Sequence, residues 1–128
     1  MSDPVAEDVV SLLEVLPELE GIELSIGQMT ATPDELIVVR TQGGRAPDLT
    51  LDGVVFERQS VSLMFRSTDY EDAMARARAA WGNLFLYNLV IGGNRYLMIE
   101  PLNNPADIGT DASKRRLVSF TVDLRKEN

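Results

Sequence analysis

The feature that most restricts the fold is a change of period within residues 59–87. Val61, Leu63 and Phe65 alternate with Ser60, Ser62, Met64 and Arg66, the spacing of a strand with one buried face. At Ser67-Thr68-Asp69 the period lengthens. Tyr70, Ala73, Met74, Ala77, Trp81, Leu84 and Phe85 then recur at helical offsets, which predicts one long helix running directly out of the strand. Thr68 and Glu71 have the spacing of a capping box, and the stripe places Trp81 at the centre of the packed face.

The rest of the chain has to supply partners for this strand and helix. Asp3-Pro4 suits a helix start, with Val5, Val9, Leu12, Leu13 and Leu16 on an apolar stripe and Glu7, Asp8 and Glu14 off it. Pro17 ends that pattern or starts a short extra turn. Residues 22–26 alternate weakly and favour a short strand. Residues 36–40 are rich in β-branched side chains and apolar on both faces, which predicts a strand that is interior to the sheet or whose outer face meets something else. Residues 42–48, with Gly43-Gly44 and Pro47, read as a loop or wide hairpin turn. Residues 49–56 suggest a short strand broken near Asp52-Gly53. Beyond the long helix, Gly92-Gly93-Asn94 is a turn, residues 95–100 form a strand stopped by Pro101, and residues 103–114 form a polar loop. Val118, Phe120, Val122 and Leu124 mark a last strand that frays from Lys126. The expected fold is α+β: a single domain over residues 1–128, with a mainly antiparallel sheet of four to five strands and two helices on one face.

Composition narrows function mainly by exclusion. The chain has 128 residues, no cysteine and no histidine. Disulfides, thiolate sites and the commonest neutral-pH base are therefore unavailable. A net charge of −8 disfavours gripping nucleic acid through its phosphates, though it suits a surface that DNA must slide past. The acidic start at Met1-Ser2-Asp3-Pro4 is unlike a secretory signal, and no stretch approaches the length of a membrane span, so a soluble cytoplasmic product is expected.

No group of residues reads as a catalytic, metal or cofactor site. Glu18 and Glu20 lie close in sequence, and Asp69, Glu71 and Asp72 fall in a helix first turn, where acids suit the dipole. Asp107-Ile108-Gly109-Thr110-Asp111 lacks the alternating ligands and closing glutamate of a calcium loop. Gly43-Gly44-Arg45 lacks the spacing and the following lysine of a phosphate loop. Arg76 and Arg78, among Ala75, Ala79 and Ala80, leave a flat helix flank that is either solvated or covered by a neighbouring subunit. Lys114-Arg115-Arg116 is a local basic run on an acidic chain, either a solvated strand start or the site of an inter-subunit or inter-protein ion pair. The residues expected at interfaces are Gly43, Gly44, Arg45, Asp107, Asp111, Lys114, Arg115 and Arg116, in the two loops.

Three stretches together resemble a known family. They are Gln42-Gly43-Gly44 after an apolar strand; Val61-Ser62-Leu63-Met64-Phe65-Arg66-Ser67-Thr68-Asp69-Tyr70-Glu71-Asp72-Ala73; and the segment from Pro101 through Ile108-Gly109-Thr110-Asp111 and Arg115-Arg116 to the terminal strand. In order and spacing the chain resembles the tail terminator, or head-to-tail joining, minor capsid proteins of long-tailed bacteriophages. Where these carry an acid followed by glycine and arginine, this chain has Ala112-Ser113-Lys114-Arg115. The resemblance implies a non-enzymatic ring, hexameric in the virion, that caps the tail tube and joins it to the head connector or stopper, with DNA passing through its lumen unbound. It implies no cofactor, a place in the virion tail or neck, and assembly in the host cytoplasm. Another neck or tail completion protein, or a general α+β interaction module, is the alternative.

Overall fold

The computed structural model describes residues 4–49 and 55–127, with side chains described at 5–42 and 57–127. Helix α1 spans Pro4–Glu14 and is followed by a 3-10 turn, Pro17–Leu19. Strands β1 (Glu23–Ile26), β2 (Leu36–Leu49) and β3 (Val55–Ser67) come next. Helix α2 (Tyr70–Gly82) leads to β4 (Leu86–Ile91), β5 (Asn94–Pro101), β6 (Ala106–Thr110) and β7 (Arg116–Glu127). Among the described residues these form one seven-stranded sheet in the order β1-β2-β3-β7-β5-β4, with β6 beside β7. Only the β1–β2 pairing is parallel. The sheet is thus mostly antiparallel, as expected, but larger than the four to five strands that the sequence suggests.

Both helices bury their stripes in one cluster. Val5, Ala6, Val9 and Leu13 of α1 and Ala73, Ala77 and Ala80 of α2 meet Ile37, Val39, Val61, Leu63, Phe65, Val118, Phe120, Val122 and Leu124 of the sheet. The β3 residues of this set alternate, and the register places Ile37 and Val118 opposite Phe65, so one sheet face supplies the core. Phe65 and Phe120 stack at 5.9 Å between ring centroids. The buried side of α2 is alanine throughout, which lets that helix lie close to β3 and β7.

Several sequence expectations change. The cap of α2 is Asp69, not Thr68: its extended backbone (φ −120°) lets the carboxylate accept the Glu71 N–H at 2.9 Å. The Thr68 N–H is given to Glu35 Oε2 instead. The long helix stops at Gly82, capped by Asn83, and the apolar residues after it form β4. Trp81 is half-buried because Ala73, Ala77 and Ala80 take the sheet-facing positions. Asp8 belongs to the packed side of α1 and is buried. Residues 42–48 are a continuation of β2, paired with β3 through Gly44↔Gln59, Arg45↔Arg58 and Asp48↔Phe56. The register slips between Thr41 and Gly44 and between Arg45 and Asp48, so the glycines and Pro47 accompany bulges rather than a loop. The loop at residues 103–114 contains β6, and Lys126 pairs with both Glu57 and Tyr96 instead of fraying. Asp3 and the break near Asp52-Gly53 lie outside the described residues.

The doubly apolar start of β2 is explained by the opposite face. Leu36 and Val38 are buried there, away from the core cluster. Parallel neighbours require the chain to return from the end of β1 to the start of β2, usually through a dozen residues or more. Here the return is the short segment 27–35. It is tied down by the Gly27 N–H to Val39 O (2.8 Å) and by Arg66, whose Nη2 donates to Pro33 O at 2.6 Å.

Candidate assembly interfaces

The β6–β7 turn holds most of the residues marked by sequence, and its geometry divides them by role. The Asp111 carboxylate accepts the N–H groups of Ser113 (3.0 Å) and Arg115 (2.9 Å) and the Arg115 Nε–H (2.9 Å). The backbone donation from Arg115 leads the set of contacts that hold the Asp111 carboxyl below its ordinary value. Arg115 is buried. Its Nη1 also donates to Ala31 O (2.6 Å) and Asp34 Oδ1 (3.1 Å), fastening the 27–35 return segment to this turn. These two residues are therefore internal fasteners.

Arg116 donates to Asp107 Oδ2 at 2.6 Å and places its guanidinium 5.3 Å from the Tyr70 ring centroid, linking β6, the start of β7 and the start of α2. The Gly109 N–H, at 2.9 Å from Asp107 Oδ1, is the leading cause of the lowered Asp107 pKa, and Arg116 adds to it. Of the basic run, Lys114 alone is exposed. It stands at the turn with φ +64°, and no ion pair among the described residues reaches it.

Gly43, Gly44 and Arg45 do not join this group. Gly44 is level with Gln59 of β3, whereas Arg116 is level with Ser67. Those positions are about 27 Å apart at the usual strand rise. What residues 43–45 supply is backbone: β1 covers β2 only as far as Val39, so among the described residues no strand pairs with the outer side of β2 beyond it. An unpaired strand edge is a ready template for another chain.

The free edge at β4 was not anticipated. β4 pairs only with β5 among the described residues, and it exposes Tyr87 (56 %) and Val90 (68 %), with Phe85 exposed just before it. Tyr87 donates its hydroxyl to Glu100, which raises the Tyr87 pKa. Leu102 and Ile108 are also exposed. The available sequence signal was Gly82-Asn83, a plausible helix end, but Leu84 and Phe85 continue the helical spacing past it. Arg78, Trp81, Gly82, Asn104 and Pro105 line an open groove, with the Trp81 indole N–H donated to Asn103 O at 3.0 Å.

Among the described residues no group of three or more acidic side chains could hold a metal ion, and no helix is long and apolar enough to cross a membrane. The arrangement offers edges, a turn and shallow grooves, all suited to contact with other chains.

Comparison with known proteins agrees with this. No curated protein is similar enough to the sequence to count as a match. Among solved structures, a chain from the virion of a native gene transfer agent particle has the same fold, with a TM-score of 0.73 at 13 % identity over 97 % of this chain and 95 % of its own. A second solved chain, 12 % identical over 97 % of this chain and 90 % of its own, has a TM-score of 0.49. The family model of the bacteriophage tail terminator protein matches residues 8–128, nearly the whole chain, and the protein therefore belongs to the bacteriophage tail terminator family.

Proposed function

We propose that this chain is a structural, non-enzymatic virion component, a single terminator unit that closes into a hexameric ring on the finished tail tube and joins it to the head connector. Family membership supports the role. The observation that carries ring closure is that, among the described residues, the strand order ends in unlike free edges, β4 on one side and β1 with the uncovered distal half of β2 on the other. A ring needs a heterologous contact in which one patch meets a different patch on the next copy, and two different edges supply such a pair. The net charge of −8 suits a lumen wall that repels phosphate, so DNA passes without being held. The β6–β7 turn, with Lys114 at its tip, is assigned to the contact with tube or connector. Assembly takes place in the host cytoplasm and the ring stays in the tail or neck.

Electron microscopy of tails made with and without the protein tests this reading. Overlong or uncapped tails in its absence, restored to uniform capped tails by adding it, are expected. Tails of normal length and end structure without it would remove the terminator role. Binding to the connector side but not to the tube end would reassign the protein as a neck completion factor.

A further inference from the structure

The return segment 27–35 and the β6–β7 turn enclose an open cleft lined by Met29, Thr30, Ala31, Arg66, Asp111, Ala112, Ser113 and Arg115. Two guanidinium groups meet there. Arg115 is balanced by Asp111 at 2.9 Å and Asp34 at 3.1 Å. Arg66 is not balanced in this way. It is only 2 % exposed, yet among the described residues no carboxylate comes within ion-pair distance of it. Its bonds go to backbone carbonyls: Nη2 to Pro33 O at 2.6 Å, and Nε to Asp34 O at a long 3.4 Å. A guanidinium carries five donors, and a buried cation without a counter-ion is costly. Burial first, and Arg115 second, lower the Arg66 pKa, while Asp111 and Asp34 act in the opposite direction. Asp111 and Asp34 both bond directly to Arg115 and act on Arg66 only at longer range.

We propose that this cleft is a carboxylate-binding site in which the Arg66 guanidinium pairs with an acidic group supplied from outside the chain. A planar carboxylate matches the guanidinium fork. A phosphate is disfavoured, because its extra charge would stand beside Asp111 and Asp34 on a chain already at −8. The acceptor can be an aspartate or glutamate of a second copy or of another protein. The chemistry is the same in either case.

Nitrogen-15 NMR of arginine side chains tests the site on the intact protein. Glutarate is titrated against chloride at matched ionic strength, and R66K assigns the Arg66 signal. A saturable shift of the Arg66 Nε–H is expected, with little change at Arg116, which lies outside the cleft. No saturable shift at Arg66, or an equal shift at Arg116, overturns the proposal. Tighter binding of inorganic phosphate than of glutarate also overturns it, in favour of a phosphate site. Sedimentation at rising glutarate then locates the natural acid. Self-association weakened several-fold places it on a second copy, whereas unchanged self-association alongside the Arg66 shift places it on a different protein. The NMR readout does not depend on ring formation, so failure of the site and failure of the terminator role remain separate results.

Discussion

The Tyr96 hydroxyl donates a 2.6 Å hydrogen bond to Asp8 Oδ2, joining β5 to α1 across a separation of 88 positions. Asn94 Nδ2 donates to the same oxygen at 2.9 Å. Asp8 is buried, so its carboxyl oxygens need these partners in place of water. Tyr96→Phe removes one of them without changing shape, and a loss of about 1.5–3 kcal/mol is expected, the usual worth of a hydrogen bond to a charged group. Urea denaturation at neutral pH measures it. A loss below about 0.5 kcal/mol would show that water replaces the hydroxyl.

The same carboxylate sets the requirement at Gly92. A Cβ there would stand 2.6 Å from Asp8 Oδ1, at φ +56°. Gly93 has φ +80° and open space around it. Gly93→Ala should cost only the left-handed backbone penalty of about 1–2 kcal/mol. Gly92→Ala should cost more, because the acid must also move. Equal melting temperatures for the two variants would contradict this.

Trp81→Ala should destabilise by about 1–2 kcal/mol rather than the about 3–5 typical of a fully buried aromatic residue. The ring is half-buried, meets Phe85 edge-on at 4.9 Å between centroids, and donates to Asn103 O. Thermal melts of Trp81→Ala and Trp81→Phe check this. A cost near 4 kcal/mol would place the ring in the core after all.

Glu35, just before β2, should contribute to acid sensitivity. Partial burial opposes its charge, but hydrogen bonds from Ser67 Oγ (2.6 Å), Arg76 Nη1 (2.6 Å) and the Thr68 N–H (3.1 Å) outweigh it and lower its pKa. A depressed folded-state value means the contribution is complete above the unfolded value of about 4.3 and is lost as pH falls through the lower folded value. Glu35→Gln should therefore lower stability at pH 7 and flatten its decline on the acid side. Denaturation curves across that window report both effects, and an unchanged acid slope would count against the assignment.

Assembly should respond to surface changes that leave the fold intact. Lys114→Glu and Val90→Lys alter exposed side chains, so each should shift stability by no more than about 0.5 kcal/mol. Both should reduce tail capping in a reconstitution assay scored by electron microscopy. Full capping by both variants would move the contacts elsewhere on the surface.

How far the fold was legible depended on whether burial followed a simple period. β3 and β7 each bury one face along the core, and their alternation shows directly in Val61-Leu63-Phe65 and Val118-Phe120-Val122-Leu124. β6 is exposed at every position, so it leaves no apolar period to detect. β4 was hidden because Leu84 and Phe85 extend the helical spacing beyond the true end at Gly82. In β2, Gly43, Gly44 and Pro47 carry loop chemistry but accompany bulges in a strand held by long-range pairing. The resemblance to terminator proteins was carried by order and spacing, and the family match confirms it over residues 8–128. The roles of Arg115 and Asp111 were not legible, since a basic run in sequence does not reveal that one arginine turns inward to hold a segment more than eighty positions earlier.

The place of β7 in the sheet has a consequence for how the chain is made. It lies between β3 and β5 and also carries β6, yet it follows all of them in sequence. While residues 116–127 are still to be synthesised, the sheet exists only as an N-terminal β1-β2-β3 portion and a separate β4-β5 hairpin, with no strand to join them. Joining the two portions has to await β7, whose approach also brings Arg115 to the return segment. Folding intermediates on the ribosome should therefore expose the flanks of β3 and β5 together, and chaperone contact should end abruptly when that last stretch emerges.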